Sequence, residues 1–143
     1  MPILLEIVTP ERLAYSDTVD SVQLPGVEGE LGILPHHAPL VSMLGVGELR
    51  IRKGGAEESF AIVGGFLQVR PDKVVVMAET ADMASEIDLE KAQQARRDAE
   101  LALEGAARAD AVDLSAARAA LQQALLRIRV AERRHREGPR HRG

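Results

Sequence analysis

At 143 residues, 45% of them hydrophobic, and with a net charge of −4, the chain has room for one full core or for a small domain with an appendage. Aromatic residues make up only 2%, namely Tyr15, Phe60 and Phe66, so the core is aliphatic and a ligand site built on stacking is not expected. There is no Cys, which excludes disulfides, thiolate metal sites and thiol catalysis. No apolar run approaches the roughly 20 residues of a membrane span. The start, Met1 to Val8, lacks the basic then apolar pattern of a signal peptide, so a soluble intracellular protein is expected. The charge is uneven. Residues 1–84 hold 6 Lys/Arg against 12 Asp/Glu, whereas Arg127 to Gly143 hold 7 Arg against 2 Glu.

The first half is written in a strand code. Ile3–Val8 is a β run stopped by Thr9-Pro10, and Val19–Leu24 is a second, stopped by Pro25-Gly26. Glu48–Lys53 alternates, with Leu49 and Ile51 on one face and Glu48, Arg50 and Arg52 on the other. Gly54-Gly55 closes a turn into a hairpin partner at Glu58–Val63. Gly64-Gly65 then breaks the pattern, Phe66–Arg70 resumes it, and Pro71-Asp72 turns into Lys73–Ala78. Short strands at close spacing, with no helical period between them, predict an antiparallel β-sandwich or flattened barrel.

Between the second and third of these runs lies an unusual loop, Gly26 to Leu40. Gly26, Gly29 and Gly32 suggest positive-φ turns or close backbone approach. A phosphate cradle would need a following helix, which Pro35 and Pro39 forbid. His36 and His37 lack the spacing and the further ligands of a metal site, so no metal is expected. Leu31, Ile33 and Leu34 beside the glycines predict a shaped loop that docks against something.

From Glu79 to Ala92 the code changes from strand to helix. Asp88 is placed to cap a helix, with Glu90 in its first turn; Ser85 with Asp88 is a weaker arrangement. Leu89, Ala92, Ala95, Ala99, Ala102 and Ala106 then form one narrow stripe, and Gly105 is expected to end the helix. Asp113 is expected to cap a second helix, with a stripe of Leu114, Ala117, Leu121, Ala124, Ile128 and Ala131. The two stripes, matched in length, predict an antiparallel two-helix hairpin at the C-terminus. Its Ala-rich seam buries little area, so it is weakly held. The organisation expected is a β-sandwich domain over 1–84, a helical hairpin over 85–136 and a disordered basic tail over 137–143.

Two stretches carry a resemblance to a known family. Gly26-x-x-Gly29-Glu30-Leu31-Gly32-Ile33-Leu34-Pro35-x-His37-Ala38-Pro39-Leu40, followed by Gly64-Gly65-Phe66-Leu67-Gln68-Val69, resembles the epsilon subunits of bacterial-type F-type ATP synthases from about Ile3 to Arg134. The resemblance implies a non-catalytic rotor subunit of the central stalk, coupling the gamma subunit to the c ring for proton-driven ATP synthesis. It would sit on the cytoplasmic face of the bacterial plasma membrane, attached through the complex alone. By the same likeness Glu30, Leu31 and Gly32 would face the c ring and His37 would lie by gamma. The hairpin would fold on the sandwich or extend into the alpha/beta catalytic head, inhibiting ATP hydrolysis. There Arg127, Arg129, Arg133, Arg134 and Arg136 would meet an acidic segment of the beta subunit, in a contact expected to weaken with ionic strength.

No cofactor is required, but ATP is a regulatory ligand in many members. Their motif reads here Ile87-Asp88-Leu89-Glu90-Lys91-Ala92, with Asp82 upstream. Lys91 stands where the family has Arg, and the two arginines of the second helix map to Gln123 and Arg127, so weaker binding is implied. An alternative reading is a stand-alone module whose basic C-terminal helix binds nucleic acid or an acidic protein. Against nucleic acid stand the acidic, nearly aromatic-free strand half. An enzyme is not expected, since no nucleophile or carboxylate pair comes with a base.

Overall fold

The structure, a computed structural model, describes residues 3–27, 29–33, 39–106 and 111–137, with the side chains of 106, 111–113 and 134–137 excepted. Among these residues seven strands, β1 (Ile3–Val8), β2 (Leu13–Val19), β3 (Ser21–Gly26), β4 (Gly29–Ile33), β5 (Leu40–Lys53), β6 (Ala56–Val69) and β7 (Lys73–Met83), precede a 3-10 turn at Ala84–Glu86. Two helices follow, α1 (Leu89–Ala106) and α2 (Ala111–Glu137). An all-β domain followed by a two-helix hairpin is the predicted fold class.

The strands form one sheet in the order β2-β1-β7-β6-β5-β3-β4. All its pairings are antiparallel except β1 with β7, which is parallel because the chain returns to the middle of the sheet after five intervening strands. The sheet curls over itself without closing. Edge strand β2 reaches β5 and β6 through the ion pair of Asp17 with Lys53 at 2.5 Å and the edge-on stacking of Tyr15 on Phe60 at 5.5 Å. Inside the curl lies one core, drawn from every strand and aliphatic apart from Phe60, with Leu5, Ile7, Leu24, Leu49, Ile62, Leu67 and Val76 excluded from solvent.

Several expectations need correction. The Gly26–Leu40 stretch holds a strand, β4, where a loop was expected, and residues 34–38 lie outside the described residues. Within it Gly29 has φ 132° and a Cβ on Gly26 would stand 2.5 Å from the Gly29 carbonyl oxygen, but Gly32 shows neither feature. β2 was not anticipated at all, and the strands predicted at 58–63 and 66–70 are one continuous strand. Gly64 and Gly65, at φ 59° and 118°, bend β6 without changing its register on either neighbour, although Gly64 itself drops out of both ladders.

That bend shifts the side-chain phase. Before it Phe60 and Ile62 face the core, after it Leu67 and Val69 do. β5 changes phase beside it, from Leu40 and Leu44 to Leu49 and Ile51, and β7 from Val76 and Ala78 to Ala81. Since alternate side chains point to opposite faces, such a change lets a long strand round a corner and keep its apolar side inward. The turn at Gly54-Gly55 is as expected: both residues have positive φ, 58° and 83°, the requirement of a two-residue hairpin matched to strand twist.

In the helices Asp88 is the cap, its Oδ1 accepting the Lys91 N–H at 3.1 Å. Gly105 does not end α1, which runs one residue further, and Asp113 is not a cap, because α2 starts two residues before it. The helices differ in length, 18 against 27 residues. On α1 Ala92 and Ala99 are buried, with Leu103 half-buried, while Ala95 and Ala102 face solvent, so the stripe is narrower than predicted. Ala is a poor marker of a helix face because it is tolerated on both sides. The α2 stripe is as predicted, with Ala117, Ala124, Ile128 and Ala131 buried.

Candidate functional site

The outer surface of the sheet divides at the bend. Beyond the bend, toward the Gly54-Gly55 turn, lies the cross-strand row Glu48 (β5), Ala61 (β6) and Asp82 (β7). α2 covers this row. Leu126 and Val130 form a second buried cluster with Ala61 and Ala84, joined by Ile87. Arg127 Nε donates to Asp82 Oδ2 at 2.9 Å, and Arg133 donates to Glu48 and, at 3.5 Å, to Glu57. Three of the arginine positions assigned to an acidic partner are thereby accounted for: Arg127 and Arg133 lie on the chain's own sheet, and Arg129 is exposed. The side chains of Arg134 and Arg136 lie outside the described residues.

On the other side of the bend the surface is apolar and uncovered. Met43, Phe66 and Met77 stand opposite one another on β5, β6 and β7, and Val8 of β1 follows Met77 in register. Val41 lies two residues from Met43 on the same face and is 70% exposed; Phe66 is 50% exposed. A contiguous apolar row on an open sheet face is the usual mark of a protein interface, and two methionines let it adapt its shape. Sequence reasoning missed it, although the Gly64-Gly65 pair, which reverses the phase of β6, was the available signal.

The residues predicted to meet the c ring sit elsewhere, on edge strand β4. Glu30 and Gly32 are exposed, Leu31 packs partly on the core, and Arg50 lies 3.9 Å from Glu30. His37 lies outside the described residues.

The residues predicted to bind ATP are only partly brought together. Asp82 and Arg127 meet, but in an ion pair with each other. Asp88 and Lys91 adjoin at the start of α1 and are exposed, Ala92 is buried and Ile87 packs beneath α2. The cleft beside the ion pair is lined by Thr9, Glu11, Arg12, Thr80 and Asp82 among others and holds about 90 Å³. Ligand pockets run to about 300 Å³ and above, so a nucleotide does not fit it in this arrangement. Among the described residues no cluster of His, Asp and Glu could hold a metal ion, and no helix is long and apolar enough to cross a membrane.

Comparison with known proteins follows this division of the chain. The model of the ATP synthase delta/epsilon chain β-sandwich domain matches residues 3–84, and that of the delta/epsilon long α-helix domain matches 85–132. An ATP synthase epsilon chain from Herpetosiphon aurantiacus is 48% identical over 138 residues, covering 96% of this chain and 100% of its own. One from Syntrophobacter fumaroxidans is 49% identical over 131 residues, covering 92% and 96%. Among solved structures, a chain of the Euglena gracilis mitochondrial ATP synthase (OSCP/F1/c-ring) matches with TM-score 0.72 at 26% identity, covering 85% of this chain and 76% of that one. A chain of the Tetrahymena thermophila mitochondrial ATP synthase (central stalk/c-ring) matches in fold at TM-score 0.53 and 15% identity, covering 93% and 96%. None of these supports a stand-alone module for nucleic acid or an acidic protein.

Proposed function

The chain belongs to the ATP synthase epsilon-chain family, non-catalytic subunits of that complex, and we propose that it joins the gamma subunit to the c ring within the central stalk. The observation that carries this reading is the uncovered row of Met43, Phe66 and Met77 on a sheet whose other half is already occupied by α2. Gamma is assigned to that row, and the exposed Glu30–Gly32 edge to the polar surface of the c ring. The subunit then contributes to proton-driven synthesis by transmitting rotation, and it reaches the cytoplasmic face of the plasma membrane through the complex. Charge placed in the row tests the assignment: Phe66→Asp should abolish co-purification with gamma and the c ring while the isolated chain keeps its strand content. Co-purification at the normal level would refute it.

The hairpin is proposed to inhibit ATP hydrolysis by leaving the sheet for the alpha/beta head. In support, the cluster that holds it down is small, comprising Leu126, Val130, Ala61, Ala84 and Ile87. Deleting residues 88–143 should raise ATP hydrolysis by the assembled complex; unchanged hydrolysis would make the hairpin structural. ATP acting as a regulator at Ile87, Asp88, Lys91 and Ala92 requires Arg127 to leave Asp82 first, which favours weak binding. Titration calorimetry with ATP tests this on the full chain. Heat that disappears in Lys91→Ala supports the site, and no heat at millimolar nucleotide removes it.

A further inference from the structure

Apolar contact has no direction, and Ala61 and Ala84 offer α2 a small, flat platform on which a helix could slide. The charges on either side of it are spaced to prevent that. Along α2 the contacting residues Arg127, Val130 and Arg133 are three apart, and a rise of about 1.5 Å per residue separates the two arginines by about 9 Å. Across the sheet Glu48 and Asp82 are two strands apart with Ala61 between them. At about 4.8 Å per strand that span is roughly 9.6 Å. Cation, methyl and cation on the helix therefore meet carboxylate, methyl and carboxylate on the sheet. A slip of one helical turn would bring Gln123 or Ala131 opposite Asp82, and neither can form the pair.

The geometry points to an electrostatic register lock: the row Glu48–Ala61–Asp82, reinforced by Glu57, is a built-in docking site that accepts α2 in one position and releases it as ionic strength rises. The anchoring carboxylate is well enclosed, its side chain 12% exposed, and its Oε2 has no hydrogen-bond partner among the described residues. Arg133, with Arg50 3.7 Å from the same oxygen, compensates a carboxylate withdrawn from water, and Arg133 is the part of that compensation which α2 brings. Release would break the pairs of these three carboxylates with the two guanidiniums together, so salt, which screens those pairs, favours the open state. This device belongs to the folded chain alone, and its failure would leave the rotor assignment untouched.

Because the chain has no cysteine, a single Ala61→Cys substitution gives a clean reporter. Ala61 is 1% exposed beneath α2, so alkylation of the introduced thiol in the full chain measures how often the helix lifts. Each ion pair should hold the open fraction down about 1.4- to 5-fold. Arg127→Gln with Arg133→Gln should therefore speed labelling roughly 2- to 30-fold at low salt. Added salt should speed labelling of the parent but not of the double variant. The charge reversal Asp82→Arg with Arg127→Asp should label more slowly than Arg127→Asp alone. The lock is overturned if the double variant labels at the parent rate, if salt leaves the parent unchanged, or if the reversal recovers nothing.

Discussion

Leu126 is the residue on which the docked hairpin most depends. It is 2% exposed and is the largest of the buried side chains that α2 sets on the sheet. Leu126→Ala removes three carbons, worth about 2.4 kcal/mol at roughly 0.8 kcal/mol each. The site lies under a helix that can settle, so the cavity adds little and the cost should stay near the lower end of the 2–5 kcal/mol range for such truncations. The two ion pairs together offer about 0.4–2 kcal/mol, so the leucine outweighs or matches both. A loss of about 2.5 kcal/mol multiplies the open-to-closed ratio roughly 70-fold. The sandwich core shares no residue with this cluster, so the effect should stay local. Hydrogen exchange read by mass spectrometry should show faster exchange along α2 and unchanged exchange in β1, β6 and β7. If α2 keeps its protection, the cluster is not what docks it. If the strands lose protection equally, hairpin and sandwich form one cooperative unit and the reasoning fails.

Other consequences concern the sheet, the hairpin seam and the β2 edge. Gly65→Ala would place a Cβ 1.9 Å from the Met77 carbonyl oxygen at φ 118°, so β6 and β7 must part there; a loss of about 3 kcal/mol or more is expected, seen as a lower melting temperature. Arg96 on α1 is half-buried, and its Nε is shut off from water with no partner among the described residues. Arg96→Met should therefore stabilise the hairpin by about 1 kcal/mol, measured as slower exchange in α1. The hydrogen bond from Lys53, then that from the Thr18 amide, lowers the Asp17 pKa, and the bond to Asp17 raises that of Lys53. By linkage the Asp17 contribution is present above its unfolded pKa and lost as pH falls through the depressed folded value. That of Lys53 is present below its unfolded pKa and lost as pH rises through the raised folded value. In Lys53→Met the Asp17 titration followed by NMR should move back up; an unmoved midpoint would place the pair apart in solution.

The strands that sequence reading found and those it missed differ in position. β1, β3, β5, β6 and β7 lie inside the sheet, where both neighbours and the core demand apolar residues at alternate places, and their pattern is legible. β2 and β4 are the two edges. An edge strand buries less and is free to carry Ser, Asp, Glu and Gly, so Leu13–Val19 and Gly29–Ile33 gave no comparable signal. The candidate site was legible in parts. Asp82, Asp88 and Arg127 were singled out, but their relations were not, because Asp82 and Arg127 are 45 residues apart and meet only when α2 crosses the sheet.

By itself, then, the sequence determined the two codes, the turn at Gly54-Gly55, the cap at Asp88 and the seam face of α2. Each follows from residues close together in the chain, through backbone freedom, capping and periodicity. Only the tertiary structure decided which half of the outer sheet is covered, what Arg127 and Arg133 hold, and that Met43, Phe66 and Met77 form one exposed row. Those facts depend on the change of phase at the bend and on where a second helix comes to rest, and both are set by contacts between strands and helices far apart in sequence.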